Sequence, residues 1–341
     1  PLHRLSYSAL RTFRDCPYRF LLERGFGLRQ EEEVIDEFRR LDYGNLVHDC
    51  LRLWLTPDGD GAVALARNDG SAALTALEQI AALVFGEGAE ELPQRRLWQE
   101  TFLELAPNLV EFELARFQTG WRPRVLEGGF QLDLTRLARW LVDHPDLAPS
   151  VSVTEQLPDI PPDARRVRLV GKIDRIDLMP VSGAPVRSAA VFDYKTGQVP
   201  TAAAVRDGRE LQIALYVLAT EIGSVADLPD AAGCRVTEGV YYRLKAGECG
   251  YRPGKPQLDS ASDSGRRVLW DSGRIILLAA LAARDTSLPV PLVPELWQDA
   301  TAGPLPCRWC AFDAVCRLEE RIVPIHLEAR LSKEQSLVRQ W

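Results

Sequence analysis

Four apolar residues in a row, Ala189, Ala190, Val191 and Phe192, lead into Asp193-Tyr194-Lys195-Thr196-Gly197. An apolar run of this kind, stopped by a glycine, predicts a buried strand over 188–195. Further strands are predicted over 151–157 and 167–179, joined by short polar or proline-containing turns as in an antiparallel meander. Leu211, Leu215, Leu218 and Ile222 predict the core face of a helix over 206–222, and a strand over 236–244 follows. A strand–helix–strand crossover makes that strand parallel to the one carrying Asp193. A loop rich in Gly, Pro, Ser and Asp then covers 246–264, and a helix is predicted over 265–285.

Before this block the pattern is helical. Residues 5–24 read as two short helices: Ser6 or Ser8 caps the first, Leu10 and Phe13 face inward, and Cys16-Pro17 separates the two. A helix is predicted over 37–55, where Gly44 and His48 share a face and Gly44 leaves room for another backbone. Residues 56–150 read as a helical insertion, opened by a Gly/Asp-rich linker at 57–61 and closed by Pro145 and Pro149. Three apolar stripes run through it: Leu74, Leu77, Ala81, Val84; then Trp98, Phe102, Leu105, Leu109, Phe112, kinked at Pro107; then Leu134, Leu137, Leu141. The chain divides into N-terminal helices (1–55), the insertion (56–150), an α/β core (151–285) and a C-terminal cysteine-bearing segment (286–341).

With 341 residues, 46% of them hydrophobic, the chain can bury a large core in two domains or one enlarged domain. Its net charge of −7 is no nucleic-acid signature, so DNA contact would need local basic surface. Residues 1–30 supply six arginines against Asp15 and Glu23, and Arg165, Arg166, Arg168, Lys172 and Arg175 cluster further on. The longest apolar run, 275–283, is too short to span a bilayer and no signal peptide is visible, so a soluble, cytoplasmic protein is expected. Seven cysteines in a chain this long argue against a disulfide framework. The start at Pro1, without Met, reads as processing, trimming or excision from a longer chain. No Gly-Lys-Ser/Thr phosphate loop occurs, so the chain is not a nucleotide-driven motor.

Strand alternation puts Asp193 and Lys195 on one face and Tyr194 on the other, leaving the Tyr194 carbonyl beside them. Asp174, within Gly171-Lys172-Ile173-Asp174-Arg175-Ile176-Asp177, lies opposite Asp193 if the two strands pair, and Asp177 faces away. Two carboxylates, a carbonyl and an ammonium in one cleft suit a hard cation and phosphodiester hydrolysis.

Gly44-x-x-x-His48, Gly171-x-x-Asp174, Asp193-Tyr194-Lys195 and Gln212-x-x-x-Tyr216 together resemble the PD-(D/E)XK nucleases, and among them the RecB/AddB-type exonuclease domains. The resemblance covers 5–55 and 151–318, and takes in Ser-Tyr-Ser-Ala-Leu followed by Cys-Pro near the start. It implies a restriction-endonuclease-like α/β core, a central mixed sheet flanked by helices. Asp174, Asp193, the Tyr194 carbonyl and His48 become the ligands of Mg²⁺ or Mn²⁺, the imidazole favouring Mn²⁺. Lys195 orients the attacking water and stabilises the charged transition state. Gln212 and Tyr216 hold the substrate strand, as the resemblance implies. Arg11, Arg14, Arg175 and Arg209 are candidate DNA contacts, and Glu155 is a candidate supporting acid. The insertion reads as structural, a helical cap beside the cleft, with single-strand binding through Trp98, Trp121 or Trp140 as the alternative.

Cys307-x-x-Cys310-x₅-Cys316 is a ligand cluster one thiolate short of four, and Cys16 is the natural fourth. The same resemblance implies a [4Fe–4S] cluster that staples the two chain ends, with zinc as the alternative four-thiolate metal. Cys50, Cys234 and Cys249 have no ligand spacing and read as packing or surface residues. The function expected is a metal-dependent DNA exonuclease acting on single strands or DNA ends in repair or recombination, with 5′ polarity implied by the resemblance. Its expected partners are DNA and a helicase subunit or a larger AddB-like polypeptide. Two alternatives are a non-catalytic DNA-binding module of a helicase–nuclease complex and a redox-sensing cluster protein.

Overall fold

A computed structural model describes residues 3–29, 40–87, 93–147, 157, 159–179, 188–228, 234–245, 249–251, 256–284, 310–312 and 315. Strand β1 (Arg4–Ser6) runs straight into α1 (Tyr7–Asp15), whose first turn Ser6 caps through the Ala9 amide. Cys16 ends α1 and caps α2 (Pro17–Phe20), its Sγ accepting from the Arg19 amide, and a π-helical turn (Leu21–Gly25) follows. Helix α3 (Arg40–Trp54) leads to α4 (Asp60–Ala66), α5 (Gly70–Gly86), α6 (Gln94–Leu103) and α7 (Ala106–Gln118). Then come β2 (Arg122–Asp133), α8 (Leu134–Asp143), β3 (Arg168–Met179), β4 (Ser188–Lys195), α9 (Ala202–Arg206), α10 (Gln212–Glu221), β5 (Arg235–Arg243) and α11 (Asp263–Arg284).

The five strands form one mixed sheet. Strand β4 is antiparallel to β3 and parallel to β5, as the sequence predicts. Strand β2 pairs antiparallel with β3 along almost its whole length, so β1 and β4 share the opposite edge of β3. There β1 takes 168–170 and β4 takes 175–179. The sheet forks between those two contacts, at Gly171–Asp174. No Cβ fits at Gly171, where it would lie 2.6 Å from the Phe130 ring that covers the strand.

Helices cover both faces. On one face α1, α8, α10 and α11 pack over Leu132, Leu169 and Val191, with Leu137, Leu215, Trp270 and Ile276 at the centre. On the other, α3 to α7 pack around Trp54, Leu77, Phe85 and Phe102, and this core is continuous with Phe192, Tyr194, Val240 and Tyr242 of the sheet. Successive β4 residues feed the two layers in turn, which is why the whole strand reads as an apolar run.

Several expectations change. Residues 56–150 are not wholly helical, because β2 lies within them and completes the sheet. Pro123, Gly128 and Gly129 hide that strand's alternation. Pro107 does not kink a helix; it stands in the first turn of α7, where a missing amide hydrogen costs nothing. Gly44 meets no backbone, only Thr196 Oγ1 at 3.6 Å from an added Cβ, an ordinary contact. The predicted strand over 151–157, Glu155 with it, and most of the C-terminal segment lie outside the described residues. None of the helices among the described residues is long and apolar enough to cross a membrane.

Candidate metal centre

The β3–β4 register pairs Arg175 with Phe192, which sets Asp174 across from Asp193 at the fork. Asp174 Oδ2 accepts the Tyr194 amide hydrogen at 2.7 Å, so the fork is held by a side chain where the ladder stops. On the far side of β3, the register brings Glu127 of β2 opposite Asp174. Glu127 adopts a left-handed φ of 55°, followed by two glycines. Val125 before the break and Phe130 and Leu132 after it enter the same core, so β2 changes face at this point. From α3, His48 Nδ1 approaches Glu127 Oε1 at 3.2 Å and Asp174 Oδ1 at 3.7 Å. One ligand atom from each of His48, Glu127 and Asp174 lies within 4.8 Å of the others.

Glu127 is the member that sequence reading missed. The available signal was the apolar/polar alternation of Phe130-Gln131-Leu132-Asp133 just after the Gly-Gly pair, which marks a strand end beside Glu127. Asp193 stands outside the trio, its Oδ2 2.5 Å from the Lys195 ammonium. Lys195 lies over the Tyr241 ring and donates to Gln212 Oε1 at 3.2 Å; Gln212 Nε2 donates to the Tyr216 hydroxyl at 3.0 Å. Tyr216 is itself mostly buried, edge-on to Phe130. The start of α10 is fixed by two side chains. Glu210 accepts the Gln212 amide and the Tyr7 hydroxyl, and the Tyr241 hydroxyl accepts the Ile213 amide.

The electrostatics suit a cation. Burial first, and then the charge of Asp193, push Asp174 up to about 7. Burial raises Asp193 as well, and Lys195 offsets only part of it. Burial alone would lower His48, but its bond to Glu127 and the surrounding carboxylates raise it above the ordinary imidazole value. Burial alone would raise Glu127, but His48 and Lys172 outweigh it and hold this carboxyl low. Crowded, partly desolvated carboxylates with one imidazole are a donor set that a divalent cation relieves; the oxygens fit Mg²⁺ or Mn²⁺, and the imidazole shifts the preference toward Mn²⁺.

Of the proposed DNA contacts, Arg175 is overturned. It is fully buried, bound bidentately to Glu113 at 2.7 and 2.8 Å and to Asp177 at 2.6 Å. Its odd offset from Asp174 turns it to the other face of β3, where the helices cover it. Asp177 faces away from the centre, as expected, and also binds Arg116 of α7 at 3.0 Å. Arg11 and Arg209 are exposed on local partners, Asp15 and Asp207, and Arg14 reaches the Gly208 carbonyl at 2.9 Å. The tryptophans are engaged within the fold: Trp98 against Tyr43, Trp121 under Arg116, and Trp140 against His144 and Arg266. Cys50 and Cys234 are buried packing residues. Of the four proposed cluster thiols, Cys16 and Cys310 are described, and Cys307 and Cys316 lie outside the described residues. Burial raises the Cys16 thiol, and Cys310 is near enough to raise it further.

Residues 4–317 match the PD-(D/E)XK nuclease superfamily. Among curated proteins, an ATP-dependent helicase/deoxyribonuclease subunit of Moorella thermoacetica is 29% identical over 231 residues, which are 63% of this chain and 17% of that protein. The chain thus spans about a sixth of that relative's length. The mixed sheet flanked by helices is a restriction-endonuclease-like fold, and the family match runs through every residue of the centre from His48 to Tyr216. This chain belongs to the PD-(D/E)XK nuclease superfamily.

Proposed function

We propose that this protein is a metal-dependent DNA exonuclease, acting on single strands or DNA ends in repair or recombination. The observation that carries the reading is the convergence of His48, Glu127 and Asp174 beside the Asp193–Lys195 pair. A divalent cation held by these residues, with the Tyr194 carbonyl as a further ligand, would lower the pKa of a water and neutralise phosphoryl charge. Lys195, steadied by Gln212 and the Tyr241 ring, presents an ammonium to the attacking water and to the charge that builds up on the phosphate. Gln212 and Tyr216 would hold the strand, as the likeness implies, and Arg11, Arg14 and Arg209 offer positive charge along α1 and the α9–α10 turn. A 5′ polarity follows only from the likeness to RecB/AddB-type domains. The relative from Moorella thermoacetica is a helicase/deoxyribonuclease subunit, so the partner to look for is a helicase, as a separate protein or within a longer chain.

The same reading includes a [4Fe–4S] cluster on Cys16, Cys307, Cys310 and Cys316. Its support is the spacing of the last three cysteines, with Cys16 ahead of the core as the fourth thiol. A brown protein with iron and sulfide in equal amounts, bleached by oxidation, is the expected result. Stoichiometric zinc in a colourless protein would replace the iron and keep the staple.

The test is release of nucleotides from single strands labelled at the 5′ or the 3′ end, with Mn²⁺, Mg²⁺ or EDTA. Cleavage should need the metal and vanish in Asp193→Ala. Tight DNA binding with no cleavage under any metal would favour a non-catalytic DNA-binding module instead.

A further inference from the structure

Among the described residues, Lys172 is a charged group at the centre to which the reaction gives no task. It lies two residues before Asp174 on β3, in register with Gly129, and its ammonium sits 2.8 Å from Glu127 Oε2. The other oxygen of that carboxylate, Oε1, faces His48. Lys172 is 61% exposed, so among the described residues this ion pair is what holds its head group. Glu127 is thereby shared between a site for a cation and a resident cation of the protein itself.

That sharing has a consequence when a divalent ion arrives. Glu127 then gives much of its charge to the ion, and the ammonium is left beside a dication, with a four-carbon stem free to swing. The anion within reach is the phosphate that the ion itself attracts. Lysine suits this as a compact, mobile point charge. We propose that Lys172 is a phosphate-binding residue for the DNA strand, parked on Glu127 until a divalent cation takes over that carboxylate. The proposal rests on the nuclease reading above and adds a substrate contact that appears only in the metal-loaded protein.

The experiment uses the full chain and two equilibrium bindings, neither of which needs turnover. Lys172→Met keeps the stem and, at an exposed position, the fold; Lys172→Arg keeps the charge. Mn²⁺ binding is followed by the electron-spin signal of the free ion. Binding of a labelled single-stranded oligonucleotide is followed by anisotropy across a salt series, in EDTA and in Ca²⁺. Loss of a competing exposed ion pair should tighten Mn²⁺ binding in Lys172→Met roughly two- to fivefold. The salt dependence of DNA binding should flatten by about 0.7 in slope, one single-strand phosphate contact, in Ca²⁺ and not in EDTA. Lys172→Arg should behave as wild type in the salt series. Weaker Mn²⁺ binding by Lys172→Met would overturn the proposal and make Lys172 a strut that holds Glu127. So would identical salt slopes in Ca²⁺. A wild-type protein that binds neither Mn²⁺ nor DNA would instead sink the nuclease reading, and this proposal with it.

Discussion

On one face of β3, Asp174 and Lys172 reach the candidate metal centre; on the other, Arg175 and Asp177 enter a buried ionic network with Glu113, Arg116, Glu238 and Tyr251. The same short run of sequence supplies both clusters, and they differ in how far the fold satisfies their charges. In the network two arginines face three carboxylates, each arginine bonded to two of them, and both guanidinium groups lie over the Phe192 ring. Every charge there has a partner supplied by the fold, and α7 is tied by it to the sheet. At the centre, burial and the charge of Asp193 raise Asp174 to about 7, Asp193 is raised as well, and Glu127 is divided between two partners. One cluster is closed by the fold, and the other is left for a ligand to close.

This contrast can be broken from either side. The largest effect is expected at Arg175→Met. It strands Glu113 and Asp177 without their main partner in a dry layer, which typically costs about 3–5 kcal/mol. Chemical denaturation should report that loss, and a melting curve within a degree or two of wild type would mean that the network is inert. On the open side, Lys195→Ala should leave the melting temperature nearly unchanged and reduce cleavage by on the order of 10²–10³, the usual cost of removing one group aimed at the transition state. Cleavage within a factor of a few of wild type would remove Lys195 from the mechanism.

Two further measurements sharpen the open side. Glu127→Gln keeps the shape of the side chain and removes its charge, so Mn²⁺ affinity should fall by about tenfold or more, judging from the 10–100-fold losses that even supporting groups give. An unchanged titration curve would show that only His48 and Asp174 matter. The smallest effect concerns pH. Asp174 must lose its proton to bind a cation, and its ionisation is held up to about 7 by burial and by Asp193. His48, Glu127 and Asp193 are the other charged groups acting on it, and Lys172 and Lys195 pair with Glu127 and Asp193. Affinity for Mn²⁺ should therefore weaken as the pH falls through that value, by roughly tenfold between pH 8 and 6. Calorimetry in buffers of differing ionisation heat should find proton release on binding at pH 6, and flat affinity across this range would contradict the raised Asp174.

Much of the centre was legible from local pattern. The apolar run into Asp193-Tyr194-Lys195 specified a strand, and the two-residue period of a strand alone put Asp193 with Lys195 and turned Tyr194 and Asp177 away. The spacing of Gln212 and Tyr216 put them on one helix face, where they are hydrogen-bonded. These properties depend only on neighbours in the chain. The other decisions required the assembled layers. Arg175 had the right type and position for a DNA contact, but alternation says which residues share a face, not which face a neighbouring layer will cover. Helix α7, far away in sequence, covers that one. Glu127 joined the centre only through the register of β2 on β3, in a strand whose glycines and left-handed residue erase the periodic signal. Pairing register and the choice of covered face are settled by which long-range arrangement buries the most apolar surface while satisfying each charge, and no single stretch of the chain carries that information.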